Sequence, residues 1–406
     1  MKKNSYFSLV AILFLGLITQ AQSKKWTLEE CVKYALENNI SIKQSELDTQ
    51  TATIDKKSAF GNLLPSINAS TSHSWNIGLN QDITTGLLRN QTTQFTSTGM
   101  NVGIDIYKGL QNQNNLRRAN LALVASKYQL LKMQEDIALN VANAFLQVLF
   151  NKENLKVQLE QLAINEKQLA RSSELVSVGV VPRGDLLDIK ASVAQTRQNV
   201  VAAENTLLIS KLSLSQLLQL KDFENFDVVD VMDINNNATI LAQSPSAIID
   251  KAKESRTELK IAQTNLEIAQ KNLAIAKGAF QPSLQGFYGF NSRISYADVA
   301  VISGGVISTK PANPFWTQFS DNKGQSFGAQ LSIPIFNGLA TKNNVERSKV
   351  NLQKATIALE QQNLNLERTI YTAFTDAKGA LKANESAISS FEARQEAYNY
   401  AKEKFA

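Results

Sequence analysis

The sequence predicts an α+β membrane protein in which a few β-strands contribute to a shared barrel and very long helices form a coiled coil. Three observations predict this class. The chain consists of two similar halves, the segment from Leu110 to Val178 contains no glycine or proline, and the strand segments alternate apolar and polar residues. At 1.5 Å per residue, a helix over that segment spans roughly 100 Å.

The N-terminus has the pattern of an export signal. Lys2 and Lys3 precede the apolar segment 7–18, and 19–22 suits a cleavage zone, so residues 1–22 are predicted to be a signal peptide. No later apolar run is long enough for a transmembrane helix. The net charge of +6 is diffuse, which argues against nucleic acid as a partner.

The first helix after this segment has a recognisable start. Thr27 and Glu30 have the spacing of a capping box. Cys31, the single cysteine, lies with Ala35 on the apolar side of the same helix. We expect Cys31 to be buried as a small apolar residue.

Several short segments occur twice. Ala59-Phe60, Leu64-Pro65-Ser66-Ile67 and Ile106-Tyr107-Lys108-Gly109-Leu110 recur as Ala279-Phe280, Gln281-Pro282-Ser283-Leu284 and Ile335-Phe336-Asn337-Gly338-Leu339. The last pair is separated by 229 positions (338 minus 109). The duplication predicts a first repeat at 23–220, a linker at 221–250 and a second repeat at 251–406.

Each half is predicted to run from a helix through two strands into a long helix. The expected helices are 41–60, 110–178, 186–214, 258–278 and 339–406, and the expected strands are 66–77, 96–107, 283–292 and 326–336. All seven prolines lie outside these helices, as expected of a residue that interrupts them. The segment 296–324 is expected to be a long loop outside the cell.

The long helices carry a heptad pattern. Apolar residues recur every seven positions at Val141, Val148, Leu155, Leu162, Leu169 and Val176, and again at Leu186, Val193, Val200, Leu207 and Leu214. This spacing predicts a left-handed supercoiled seam. Polar residues at Asn151, Gln158 and Asn165 favour a seam with one wet side, as in the wall of a water-filled tube. A cytoskeletal-type rod is the alternative, but a rod needs no strands.

The strands have one apolar and one polar face, because side chains alternate along a strand. A soluble sheet would place the apolar face on a core, whereas a transmembrane barrel would place it on lipid and the polar face on a lumen. Aromatic residues near the strand ends favour the barrel. We expect Met100, Val102, Ile104, Leu331 and Ile333 to face lipid, and Asn68, Asn101, Asp105 and Gln330 to face the lumen, with Asp105 solvated by water.

Four strands are too few to close a barrel. An open edge in lipid would leave backbone N–H and C=O groups unpaired, at a cost of several kcal/mol each. The barrel interpretation therefore requires several copies of the chain.

The chain resembles the TolC family of outer-membrane efflux proteins over nearly its whole length after residue 25. The resemblance rests on the duplicated halves, on Trp26-Thr27-Leu28-Glu29-Glu30-Cys31, on Leu64-Pro65-Ser66 and on the helix tip at 178–187. It implies a homotrimer that pools its strands in one barrel in the lipid bilayer, a periplasmic helical tunnel that opens when docked, and an equatorial position for the linker. It also implies docking onto a periplasmic adaptor and an inner-membrane pump of the RND or ABC type.

By this resemblance, Val178, Gly179, Val180 and Val181, with Asp185, match the tip that contacts the adaptor. Gly179 suits the left-handed conformation that ends a helix, and Pro182 cannot continue that helix. Asp185 is expected to be the N-cap of the next helix. A plain turn between two helices is the alternative interpretation.

The second copy of Gly179 would fall at position 408 (179 plus 229), beyond Ala406. The sequence is therefore expected to be a fragment that lacks the second tip and the helix returning from it.

The side-chain chemistry predicts a protein that is not an enzyme and needs no metal or cofactor. His73 is the one histidine, which disfavours a Ser-His-Asp triad and a His-rich metal site. The expected function is a passive duct for the export of small molecules. A conduit for type I protein secretion is the alternative within this fold, and a periplasmic adaptor is a less favoured one because adaptors have a single hairpin.

Overall fold

The computed structural model describes residues 25–81, 88–221, 226–230, 241–304 and 306–404. The predicted signal peptide at 1–22 and parts of the linker lie outside the described residues. The chain divides into two compact units that each draw on both repeats. The first comprises Met1–Asp48, Tyr128–Ser244 and Ala380–Ala406, and the second comprises Thr49–Lys127 and Pro245–Gly379.

The elements follow the predicted order. The helices are α1 (Leu28–Asn38), α2 (Ile40–Gly61), α3 (Gln111–Ser177), α4 (Arg183–Leu218), α5 (Pro245–Ser255), α6 (Thr257–Gly278), α7 (Phe315–Asp321) and α8 (Ala340–Lys404). The strands are β1 (Lys25–Trp26), β2 (Ser66–Gln81), β3 (Leu88–Lys108), β4 (Asp227–Val228), β5 (Ser283–Ser295), β6 (Val299–Ser303), β7 (Val306–Lys310) and β8 (Gly324–Ser332). The segment 296–324 thus contains β6, β7 and α7, where a loop was expected.

The first unit has its core where α1 packs against α3 and α4. The capping box of α1 is present, since Thr27 Oγ1 accepts from Glu30 N at 3.2 Å and Glu30 Oε2 accepts from Thr27 N at 3.0 Å. Cys31 is fully buried in this core beside apolar residues such as Phe145 and Leu214, as predicted. Burial raises the pKa of its thiol to about 12, so the thiol stays protonated at neutral pH.

The seam between α3 and α4 contains both apolar and polar residues, and the wet side expected of an assembled tube stays a prediction. Val141 and Val148 are fully buried, but polar Asn151 and Thr196 are buried as well. Asn165 Nδ2 donates to Thr196 Oγ1 at 2.8 Å across the seam. Asn165 and Thr196 thus satisfy each other across the helix pair, whereas Asn151 accepts from Gln147 of its own helix at 3.1 Å.

The second unit contains an antiparallel sheet in the order β2-β3-β5-β8. Its two edge strands are β2 and β8. β8 ends at Ser332, four residues before the predicted end at Phe336, because Ser332 pairs with Ser283, the first residue of its partner β5. Ile333, predicted to face lipid from this strand, therefore lies outside it.

The two halves meet at a close backbone crossing within the second unit. Gly109 follows β3 with φ +56°, and Gly278 ends α6. A Cβ built on Gly109 would lie 2.1 Å from the Gly278 carbonyl oxygen, and one built on Gly278 would lie 2.3 Å from the Gly109 carbonyl oxygen. Just before the crossing, the register of β3 against β5 shifts at Ile106, which forms a bulge.

Within the described ranges, none of the helices combines the length and apolar character needed to cross a membrane.

Candidate functional site

The register of the sheet separates an apolar face from a polar face. Directly opposed residues of paired strands share a face. Val102 pairs with Ile67 on one side and with Tyr288 on the other, and Met100 pairs with Ala69 and Phe290. Ile104 and Leu331 lie on this same face by the alternation of β3 and β8, as does His73 of β2.

The polar face has a different composition. Asn68 pairs directly with Asn101, and Gln285 stands between Asp105 and Gln330 in a row across three strands. The structure thus brings the four residues predicted to face a lumen onto one face.

Asp105 is held by three hydrogen-bond donors of the protein, which were not predicted from the sequence, and its solvation by water in a lumen stays a prediction. Gln285 Nε2 donates to its carboxylate at 2.8 Å, Asn112 Nδ2 donates at 3.2 Å and Lys108 Nζ pairs with it at 3.0 Å. These residues line an open polar groove of about 670 Å³ where the strands continue into α3. Three donors hold the Asp105 carboxylate in one orientation, so this residue fixes the positions of its neighbours in the groove and also gives the groove a negative charge.

The tip of the first hairpin ends α3 in a Schellman motif. Val180 N donates to Leu175 O at 2.9 Å and Gly179 N donates to Val176 O at 3.1 Å, while Gly179 has φ +80°. A Cβ on Gly179 would meet nothing within 4 Å. Val178 and Val180 are each 67% exposed, so the tip presents two apolar side chains to solvent.

Asp185 is not the N-cap of α4, contrary to the prediction. The helix begins at Arg183, and its N-cap is Pro182, whose extended backbone leads directly into the first turn. Asp185 lies in that first turn, where its negative charge favours the positive end of the helix dipole. Val181 lies between Gly179 and the proline, and is half-buried.

An ion-pair network fixes the described part of the linker to the long helices of the first unit. Lys211 Nζ lies 2.9 Å from Asp227, and Lys152 Nζ lies 3.2 Å from Asp227 and donates to Val228 O at 3.0 Å. Lys152 and Lys25 both pair with Asp230. Hydrogen bonds from Lys152 and Lys25 lower the pKa of Asp230 to about 2. Burial raises the pKa of Asp227, but the bonds from Lys211 and Lys152 outweigh it and the pKa is lowered.

This network predicts an acid-dependent stability for the first unit. Lys152→Gln is expected to lower the melting temperature at pH 7, and the difference from the natural chain should shrink as the pH falls from about 4 towards about 2. A depressed carboxylate pKa stabilises the fold above the unfolded value of about 3.9, and this contribution is lost as the folded pKa is reached.

The measurement is thermal unfolding followed by circular dichroism across that pH range. Lys156→Gln is the matched control. Lys156 lies in the same helix, and its ion pair with Glu153 is long, at 3.8 Å, and exposed, so its loss should have little effect. A Lys152→Gln deficit that stays constant with pH would show that the loss comes from packing and not from the ion pairs.

The sheet with two faces and the long hairpin with an exposed tip define a class of channel-forming membrane protein. A family model described as "Outer membrane efflux protein" matches residues 31–219 and 248–406. The chain belongs to the outer membrane efflux protein family, and it is an outer-membrane protein.

Individual relatives and structures are similar to this chain over most of its length. The probable outer membrane lipoprotein SilC of Salmonella typhimurium is 24% identical over 371 residues, which are 89% of this chain and 71% of that protein. The outer membrane protein TolC of Escherichia coli strain K12 is 21% identical over 403 residues, 96% of this chain and 77% of that protein.

Solved structures show the same fold. CusC matches with a TM-score of 0.69 at 19% identity, over 91% of this chain and 78% of its own. VceC of Vibrio cholerae matches with a TM-score of 0.69 at 14% identity, over 86% and 79%. The fold is therefore the α+β channel fold that the sequence predicted.

Some residues of the site were missed by sequence reasoning. Gln285 occupies a polar position in the alternation of β5, so the alternation could have identified it. Lys108 and Asn112 lie within seven positions of Asp105, but they are outside the regular alternation of β3 and so have no periodic signal. The lysines of the ion-pair network have none either, because their partners are distant in the sequence.

Proposed function

We propose that this chain is the outer-membrane duct of a tripartite export system for small molecules. Three copies pool their sheets in one barrel, and the hairpin tips dock onto a periplasmic adaptor that connects to an inner-membrane pump. The observation that carries the proposal is the sheet itself, which has an apolar face, a polar face and two open edges in an outer-membrane protein. The duct is passive, so the pump supplies the energy.

The surface of the hairpin supports assembly with further copies. Besides the buried seam, α3 exposes Phe150, Val157 and Ile164 at a spacing of seven, and α4 exposes Leu187, Val201 and Leu208 at multiples of seven. Exposed apolar residues at heptad spacing are typical of a helix that packs against a second neighbour. Each hairpin would thus contact helices on both sides, as in a closed ring.

The duplication predicts how the open edges of neighbouring copies pair. β3 and β8 are equivalent at an offset of 229, and β2 and β5 are equivalent at an offset of 217 (283 minus 66). We assume that β8 pairs with β2 of the neighbouring copy in the same register as β3 pairs with β5. Adding 229 to the β3 residue and subtracting 217 from the β5 residue then transfers each observed pair. Gly103 with Phe287 becomes Ser332 with Ser70, and Thr98 with Ser292 becomes Phe327 with Trp75.

The transferred register agrees with the faces of the sheet. Ser332 and Ser70 both lie on the polar face, and Phe327 and Trp75 both lie on the apolar face. Phe327 is 84% exposed and Trp75 is 59% exposed in the single chain. An aromatic pair across two strands is favourable, and the transferred register creates one from two exposed rings.

Cysteine cross-linking tests this register and the oligomer. Ser70→Cys with Ser332→Cys in one chain is expected to give covalent dimers and closed trimers on mild oxidation in the outer membrane, read on a non-reducing gel. Directly opposed Cα atoms lie about 4.5–5.5 Å apart, within the disulfide range of about 4.4–6.8 Å. Native Cys31 is buried, with a thiol that stays protonated, and so does not compete.

The control places the second cysteine two residues away on the same face. Ser72→Cys with Ser332→Cys would hold its Cα atoms on a diagonal of about 7–8 Å, beyond easy bridging. Monomers only from both variants, or equal amounts of cross-linked dimer and trimer from both, would overturn the transferred register.

The tip is the part of the duct proposed to contact the adaptor. Val180→Asp is expected to raise dye accumulation in the native host when the variant replaces the natural chain, because a charge on an apolar contact surface is costly to desolvate. The protein should still reach the outer membrane in normal amounts, since Val180 is exposed and lies far along the chain from the strands.

Gly179→Ala is the control that shows whether a loss of efflux comes from a strained turn or from a lost contact with the adaptor. Alanine at φ +80° strains the Schellman turn but adds no charge, and its Cβ meets open space. Efflux close to normal for Gly179→Ala and strongly reduced for Val180→Asp supports docking. Unchanged efflux in Val180→Asp would mean that the tip is only a turn.

A further inference from the structure

Helix α7 lies against the apolar side of the sheet at one end of β5. Phe319 of α7 contacts Phe290, with ring centroids 6.0 Å apart, and Ser292 Oγ donates to Phe319 O at 2.9 Å. Phe290 and Ser292 belong to the same face as Met100 and Val102, because Phe290 pairs with Met100 and side chains alternate along β5.

Side chains of α7 and the residue after it also hold the free edge of β5. β8 begins at Gly324, opposite Asn291, so among the described residues no strand pairs with the last four residues of β5 on that edge. Gln318 Nε2 donates to Ser295 O at 2.9 Å, Gln318 Oε1 accepts from Ser295 N at 2.9 Å, and Asn322 Nδ2 donates to Arg293 O at 2.7 Å. These bonds fix α7 in position on the sheet.

α7 carries a cluster of aromatic rings, and Trp316 is the exposed member of the cluster. Phe315, Trp316 and Phe319 form a cluster with centroid distances of 5.1 to 6.4 Å, and Trp316 is 75% exposed. The neighbouring strands continue the band on the same face, where His73 contacts Trp75 at 4.2 Å and Tyr296 at 5.5 Å. The opposite face at this height carries a charge, since the guanidinium of Arg293 lies 4.0 Å from the centre of the Phe95 ring.

The height of α7 above the strand–helix junction matches the edge of a bilayer. A strand rises about 3.3 Å per residue, and a tilt of about 35–45° leaves roughly 2.5 Å of height per residue. The ten steps from Leu284 to Ile294 (294 minus 284) therefore cover roughly 25 Å, the height of the apolar band of an outer-membrane barrel. Aromatic residues collect at that boundary because their rings are apolar and their N–H or O–H groups reach water.

We propose that α7 is an interfacial anchor, which inserts Trp316 and its aromatic neighbours into the outer leaflet of the membrane beside the barrel. This inference rests on the proposed function, since it needs the apolar face of the sheet to be in lipid. A plug over the pore would have to lie on the polar face, whereas the contacts of α7 with Phe290 and Ser292 place it on the apolar one.

Three tryptophans make the test direct. The chain contains Trp26, Trp75 and Trp316, and replacing two of them with phenylalanine leaves one reporter in each of three variants. Each variant of the full chain is reconstituted in phosphatidylcholine vesicles with and without bromine atoms on the upper acyl chain, and tryptophan fluorescence is compared. Aqueous iodide quenching provides the complementary measurement.

Trp316 is expected to lose fluorescence in the brominated vesicles to an extent comparable with Trp75, which lies on the apolar face of β2. Trp26 contacts Tyr34 and Phe226 in the first unit and is expected to keep its fluorescence, so it serves as the control outside the membrane. If Trp75 is quenched by bromine but Trp316 responds only to iodide, α7 stands in water and the inference is wrong. If neither Trp75 nor Trp316 is quenched by bromine, the sheet is not in lipid and the proposed function fails with it.

Discussion

Gly278→Ala is expected to cost about 3 kcal/mol or more of folding free energy and to reduce the yield of folded protein sharply. The new methyl group would stand 2.3 Å from the carbonyl oxygen of Gly109, which is backbone and cannot turn aside as a side chain does. Relief requires the end of α6 to move away from the start of α3, and overpacking of this kind costs about 1–3 kcal/mol even where side chains can adjust. The measurement is the midpoint of urea unfolding together with the protease-resistant fraction.

Gly379→Ala is the matched control for this prediction. Gly379 also lies in a helix, α8, and an added Cβ there would meet nothing within 4 Å. Alanine should be neutral or stabilise by up to about 1 kcal/mol, because glycine is the poorer helix former. Similar unfolding midpoints for the two variants would mean that the crossing at Gly109 tolerates a methyl group and is not a constraint on the fold.

Val102→Arg is expected to destabilise the membrane-inserted protein by about 2–4 kcal/mol if residue 102 is near the bilayer midplane, and by less near an interface. Val102 lies on the apolar face between Ile67 and Tyr288, so in the proposed barrel its replacement would place a guanidinium against lipid. The free energy is obtained from reversible unfolding in urea in the presence of vesicles.

The neighbouring residue provides the control because it points the other way. Asn101→Arg introduces the same side chain one position earlier, on the face shared by Asn68 and Gly289, where a lumen would solvate it. Its expected cost is close to zero. Equal costs for both variants, or a larger cost for Asn101→Arg, would reverse the assignment of the faces, because a shift of one residue exchanges them.

Features with a local or periodic signal were predictable from the sequence. α3 runs from Gln111 to Ser177, one residue inside each end of the segment without glycine or proline. The capping box at Thr27, the burial of Cys31 and the left-handed turn at Gly179 also follow from residues within a few positions of one another. In each case the interaction that decides the structure is formed by neighbours in the chain.

Features that depend on distant partners were not predictable in this way. The end of β8 is set by the start of β5, and the environment of Asp105 is set by Gln285, 180 positions away. α7 has only seven residues and little periodicity of its own, and its contacts with β5 hold it in place. A single sequence gives the faces of a strand, but not which donors or helices lie opposite those faces.

The crossing at Gly109 and Gly278 has a consequence for how the two repeats have diverged. Ala59-Phe60 is the counterpart of Ala279-Phe280, so Ser58 stands where the other repeat has Gly278, and Gly338, the counterpart of Gly109, has nothing within 4 Å of an added Cβ in the single chain. The backbone segments at Gly109 and Gly278 lie too close for a methyl group between them, so they must be positioned accurately. Both segments belong to one polypeptide, which keeps them near each other during folding. In the proposed trimer the equivalent junction would lie between separate polypeptides, and the Cβ of Ser58 would exclude a backbone approach as close as that of Gly109 and Gly278. The similarity of the two repeats is thus kept in the strands and lost at this junction, which in the proposed assembly would close within the chain at Gly109 and between chains at Gly338.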